Sequence, residues 1–75
     1  MKKVNAIETG QRIRLLMLNR GVSSDELARK LNYSSRVTVN RWVRGDAVPS
    51  YENLVNISEV LRCRPDELVV MFEED

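Results

Sequence analysis

The 75-residue chain contains no histidine and a single cysteine, Cys63. One thiol cannot close an internal disulfide, and without histidine there is no Cys/His cluster to hold zinc, so we expect no staple, metal or cofactor. General acid–base catalysis lacks its commonest side chain, the carboxylates are dispersed over predicted helix starts and the tail, and neither a Gly-rich phosphate loop nor an EF-hand spacing occurs. An enzyme is therefore not expected, and Cys63 reads as a buried thiol rather than a nucleophile. Long apolar runs are missing too. The longest, residues 15–18 and 68–72, are far too short to span a bilayer. Met1-Lys2-Lys3 begins like a signal peptide, but Asn5, Glu8 and Gln11 stand where its apolar region belongs. We read one cytoplasmic domain over residues 1–75, with a core of about 8–72, a short N-terminal arm (1–7) and an acidic C-terminal tail (73–75). A chain of this size buries only about 60% of its unfolded surface, which leaves association with a partner as the remaining way to add burial.

The formal charge of +1 conceals a division. Residues 1–45 carry ten basic side chains against three acids, a net of +7, and residues 46–75 carry two against eight, a net of −6. Such a dipole suggests that one half faces a polyanion and the other half solvent or a different partner.

Apolar residues recur at helical spacing almost throughout, without strand-like alternation between hairpin turns, so the fold class is all-α. A first helix covers about residues 8–20, with Ile13, Leu16 and Met17 on one stripe, either Asn5 or Thr9 as N-cap, and Gly21 as the left-handed cap. Ser23-Ser24-Asp25-Glu26 forms a capping box for a second helix running to about Leu31, with Val22 and Leu27 placed as its hydrophobic staple. Ser35 is the expected N-cap of a third helix over residues 36–44, closed by Gly45. Ser50 caps a fourth, whose Leu54, Ile57, Val60 and Leu61 form an apolar stripe. A fifth is predicted from Pro65, with Asp66 and Glu67 in the first turn where the helix dipole prefers acids.

The third helix is the informative one. At about 100° per residue, Thr38, Val39 and Trp42 share one side, while Arg36, Val37, Asn40, Arg41 and Arg44 spread over about 140° on the other. Val39 and Trp42 would anchor the helix in the core, beside Leu27 and Ala28 of the second helix. The outward side offers arginine for guanine O6/N7, asparagine for adenine N6/N7 and valine for a thymine methyl. A solvated helix face normally interleaves acids with bases, and this helix contains no acid.

Two helices joined by a short turn, the second basic outside and apolar inside, make a helix-turn-helix arrangement. The chain resembles the helix-turn-helix family of phage repressors, Cro-like proteins and small bacterial transcriptional regulators. The resemblance spans about residues 9–69. It is carried by Gly10-Gln-Arg-Ile13, Gly21-Val22-Ser23, Asp25-Glu-Leu-Ala28, Leu31, Val39, Trp42, Arg44-Gly45, Pro49-Ser50, Leu54, Ile57, Leu61 and Asp66-Glu-Leu68. It implies a compact five-helix, lambda-repressor-like domain that binds double-stranded operator DNA, with the third helix in the major groove. The base-reading positions map onto Arg36, Val37, Asn40 and Arg41, and the backbone contacts onto Ser24, Ser35 and Arg44. The start of the second helix would offer its amides to a phosphate.

The chain departs from the family pattern at three places. Ser24 stands where glutamine is usual, and the stretch from Leu31 to Gly45 is one residue longer than the commonest spacing. Met17 and Val43 replace an arginine and a glutamate that pair in many members. Exchanging both partners for apolar groups can be neutral where losing one would strand a charge, so Met17 and Val43 are expected to touch. Tyr33, in the lengthened turn, could pack beneath it or meet a phosphate, and packing is preferred.

Leu15 and Leu18 miss the first helix's core stripe, and in the last helix Leu68, Val69 and Phe72 are expected to face inward while Val70 and Met71 point away. Family practice implies a symmetric homodimer, for which the Val70/Met71 surface is preferred over the first helix. The alternative reading is a protein-interaction module of the same fold, an antitoxin or anti-repressor, working through the acidic C-terminal half on a regulatory protein partner. No membrane partner is expected.

Overall fold

Four helices form where caps and apolar stripes place them, and the computed structural model describes all 75 residues. The order is β1 (Lys2–Val4), α1 (Ala6–Arg20), α2 (Ser24–Lys30), α3 (Val37–Arg44), α4 (Tyr51–Leu61), a single 3-10 turn (Pro65–Glu67) and β2 (Met71–Glu73). Asn5, not Thr9, caps α1: its Oδ1 accepts the Glu8 N–H at 3.0 Å, so the helix opens two residues earlier than expected. The hydroxyls of Ser23 and Ser50 cap α2 and α4 through the N–H groups of Glu26 and Asn53, each at 3.1 Å. Gly21 and Gly45 close α1 and α3 with φ of 68° and 81°, backbone that suits a residue without Cβ. The third helix starts one residue late. Arg36 occupies its N-cap without a side-chain cap, and Ser35 Oγ accepts the Val37 N–H at 3.4 Å.

The expected all-α domain of five helices is corrected at both ends of the chain. After the 3-10 turn the chain extends rather than coils, and β2 pairs antiparallel with β1 in the register Lys2 to Glu73, Lys3 to Phe72 and Val4 to Met71. The reason lies in where the backbone groups find partners. The Val70 N–H donates to the buried Thr9 hydroxyl at 3.0 Å, and the Val70 carbonyl accepts the Asn5 N–H at 2.7 Å. A helix through Val70 would withdraw both groups from the start of α1. The N-terminal arm and acidic tail are accordingly not free: the Met1 amino group donates to the Glu74 carbonyl at 3.0 Å, and Lys3 Nζ lies 3.0 Å from Glu74 Oε1. Side-chain directions change with the backbone. Phe72, expected inward, is 42% exposed, and Val70, expected to point away, is half-buried.

The core gathers Ile13 and Met17 of α1, Leu27 and Ala28 of α2, Val39 and Trp42 of α3, Leu54, Ile57 and Leu61 of α4, and Leu68 beyond it. Burying one large aliphatic side chain contributes about 1.5–3 kcal/mol, so every helix is held chiefly by the two or three residues it commits here. Polar groups inside are satisfied: Ser58 Oγ donates to the Val55 carbonyl at 2.6 Å, and no buried side-chain nitrogen or oxygen lacks a partner. Arg20 Nε donates to the Leu61 carbonyl at 2.8 Å, closing the C-terminus of α4 from α1. No helix is long and apolar enough to cross a membrane.

Candidate nucleic-acid interface

The segment between α2 and α3 is built by local rules and by two aromatic rings. Asn32 turns the chain after α2 in left-handed backbone, φ 65°, and the Tyr33 N–H returns to the Ala28 carbonyl at 2.9 Å. The Tyr33 ring meets Trp42 edge-on, centroids 5.9 Å apart and planes at 71°, so Tyr33 packs beneath the turn as preferred. Leu27, Ala28, Val39 and Trp42, the four expected anchors, are all buried in the one core cluster. They set the angle at which α3 presents its other side.

Arg36, Val37, Arg41 and Arg44 are exposed on that other side, with Val37 at 61%. Asn40 sits differently. It is half-buried and, with Ser24, Arg44, Met17 and Val43, lines a hollow of about 410 Å³ between α1, α2 and α3. The structure thus brings Ser24, Asn40 and Arg44 together at one hollow, while Ser35, Arg36 and Val37 stand at the start of α3. Met17 and Val43 both line this hollow, beside the exposed Leu18.

Charge on this face is partly neutralised by residues that the sequence reading did not assign to it. Arg36 Nη1 lies 3.3 Å from Asp25 Oδ2, and Arg44 Nε lies 3.0 Å from Asp46 Oδ2. Arg41 has no carboxylate partner within 4 Å. A signal for Asp46 exists in its place two residues after Arg44; Asp25 lies eleven residues before Arg36 and carried only its role at the start of a helix. Elsewhere Arg12 Nη1 donates to the Glu67 carbonyl at 2.9 Å and Arg20 holds α4, so these cations serve the scaffold. Gly10 was also missed as a determinant of the face. It lies where α1 crosses α3, against the carbonyl groups of Trp42 and Val43.

Two remaining candidates lie away from α3. Val70 is tied to Thr9 and Asn5, and Met71 is 46% exposed in β2. Cys63 is half-buried rather than fully buried; burial, helped by Glu67 and Asp66 and opposed by Arg20, pushes its thiol above the usual range, which disfavours the nucleophilic thiolate.

Residues 13–68 match the family described as helix-turn-helix. Over 56 residues the chain is 41% identical to the HTH-type transcriptional regulator DicA of Escherichia coli (strain K12). That match covers 75% of this chain and only 41% of the relative, so the chain spans well under half of the relative's length. Among solved structures, the restriction-modification controller protein C.AhdI from Aeromonas hydrophila superposes with a TM-score of 0.78 at 30% identity, covering 85% of this chain and 91% of that one. The P22 c2 repressor, solved in complex with synthetic operator 9T, gives 0.73 at 32% identity, covering 80% and 89%.

Proposed function

The chain belongs to the helix-turn-helix family of DNA-binding transcriptional regulators, and from that membership we propose that it is a sequence-specific, repressor-like regulator acting in the cytoplasm. The observation that carries this reading is the outward side of α3, which presents Arg36, Val37, Arg41 and Arg44 with no acid of its own while the buried Val39 and Trp42 anchor the helix from behind. In the major groove Arg36 and Arg41 would read guanine edges, Asn40 an adenine and Val37 a thymine methyl. Arg44, Ser24 and Ser35 would meet the phosphate backbone, where the amides and dipole at the start of α2 favour an anion. The P22 c2 repressor, solved on its operator, supports this placement by likeness of fold.

Two copies would bind a two-fold operator with half-sites roughly 34 Å apart. The C-terminal surface remains the preferred contact, because Tyr51 of α4 and Met71 of β2 line one hollow with Leu54 and Val69, whereas Leu15 and Leu18 of α1, exposed at 54% and 69%, line separate ones. Sedimentation of Met71→Asp beside Leu18→Asp separates the two candidates: loss of a dimer only in the first supports β2, and loss only in the second supports α1.

The alternative, a protein-binding module acting through the acidic half, draws less support from the structure. Asp46, Asp66, Glu67, Glu73 and Glu74 already face Arg44, Arg64, the Arg64 N–H, the Met1 amino group and Lys3. Selection from random duplex DNA tests the proposal. Enrichment of a two-fold site whose affinity falls steeply with salt is expected, and a protein that enriches no duplex at low salt overturns it.

A further inference from the structure

Arg36 is the one guanidinium on the outward side of α3 that is held by a different helix. Its carboxylate partner, Asp25 in the first turn of α2, lies 3.3 Å away, and the two side chains are 61% and 67% exposed. An exposed pair of this kind adds little to folding stability. Its geometry matters more. Arg36 stands at the uncapped start of α3, where a long side chain would otherwise sample many rotamers, and the ion pair engages one Nη1 donor while the rest of the guanidinium fork stays free.

We propose that Asp25 is a positioning residue for base recognition: its carboxylate orients Arg36 toward a guanine edge and opposes the use of the same guanidinium by a phosphate. The discrimination follows from charge. Guanine O6 and N7 are neutral acceptors, so Arg36 can bond them and keep Asp25. A phosphate must approach the carboxylate as a like charge or displace it, and wrong-partner contacts are weakened by such repulsion. Asp25 therefore lowers affinity for random DNA more than for the specific complex: the phosphate proposed at Ser24 and the α2 amides meets its carboxylate in both, and only in random DNA does Arg36 also have to turn to a phosphate. Orienting Arg36 beforehand reduces the ordering cost on binding. This inference rests on the DNA-binding reading above.

Selection from random duplex DNA is carried out with the wild type, Asp25→Asn, Asp25→Glu, Arg36→Ala and the double variant Asp25→Asn/Arg36→Ala. Affinities are then measured for the duplex the wild type selects and for a scrambled duplex of equal length. Asp25→Asn is expected to bind the scrambled duplex several-fold more tightly. It should lose about fivefold or more of base discrimination at the one operator position that Arg36→Ala also relaxes, and Asp25→Glu should restore it. In the Arg36→Ala background the Asp25 change should alter no base preference. A wild type that selects a duplex while Asp25→Asn shows the same preference, or a change spread evenly over all positions, overturns the role of Asp25 alone. A wild type that selects no duplex overturns the DNA-binding reading itself and this role with it.

Discussion

Gly10 and Val43 mark the point where α1 crosses α3: a Cβ placed on Gly10 would stand 2.7 Å from the Val43 carbonyl oxygen and closer still to that of Trp42. The contact is backbone to backbone, so α3, the element that carries the groove-facing arginines, takes its height above the core from the absence of a side chain at Gly10. Alanine at an ordinary helix position would gain about 0.5–1 kcal/mol over glycine. Here the obstructing atoms belong to the α3 backbone and cannot swing aside. Gly10→Ala is expected to destabilise the protein by about 1–3 kcal/mol and to weaken operator binding further by shifting α3. Thermal unfolding and a gel shift check both parts, and an Ala variant that melts at or above the wild type would show that the crossing opens freely.

Arg41 is the outward arginine of α3 without a carboxylate partner, and it should contribute differently from Arg44. Arg41→Ala is expected to weaken binding to the selected operator by about 1–3 kcal/mol and relax preference at one base pair. Arg44→Ala should weaken specific and random duplexes alike and lower the salt dependence by about one phosphate contact. Titrations against both duplexes over a salt series distinguish the two patterns, and equal losses for Arg41→Ala on both would remove its base-reading role.

The apolar wall formed by Met17 and Val43 predicts a conditional mutation. Met17 is only 5% exposed, and arginine there would face an apolar side chain where the family's pair has a carboxylate. Met17→Arg alone should destabilise the protein by about 3 kcal/mol, and adding Val43→Glu should recover much of the loss. Denaturant unfolding of both single variants and the double variant measures the coupling. Additive losses would mean that the two positions do not interact.

Thr9 ties the C-terminal segment to α1. It is 1% exposed, and its hydroxyl is the acceptor for the Val70 N–H. Thr9→Val preserves the shape and removes the acceptor, leaving a donor without a partner, which costs about 1–3 kcal/mol. Thr9→Ser should retain most of the stability. Amide exchange at Val70 checks the mechanism: it should accelerate in the valine variant and not in the serine one.

Much of the α2–α3 unit was legible from residues 23–45 because its determinants are short-range. A Ser23 cap, a glycine at Gly45 and an apolar pair at Val39 and Trp42 act within about a helical turn. They separate the buried side of α3 from the exposed one without reference to the rest of the chain. The terminal strands were not legible. Lys2–Val4 is too short to carry a pattern, and an apolar run such as residues 68–72 suits a helix or a strand equally by spacing alone. Its conformation was settled at Val70 by Asn5 and Thr9, which lie more than sixty residues before it.

The sequence by itself determined the number and order of the first four helices, the side of α3 that faces outward and the unequal division of charge, since each follows from composition or from neighbours a few residues apart. Tertiary structure alone decided that the C-terminal segment is a strand, that Gly10 sets the height of α3, and that Asp25 meets Arg36. These last three depend on backbone groups or charges brought together from distant positions, and no local pattern encodes that proximity.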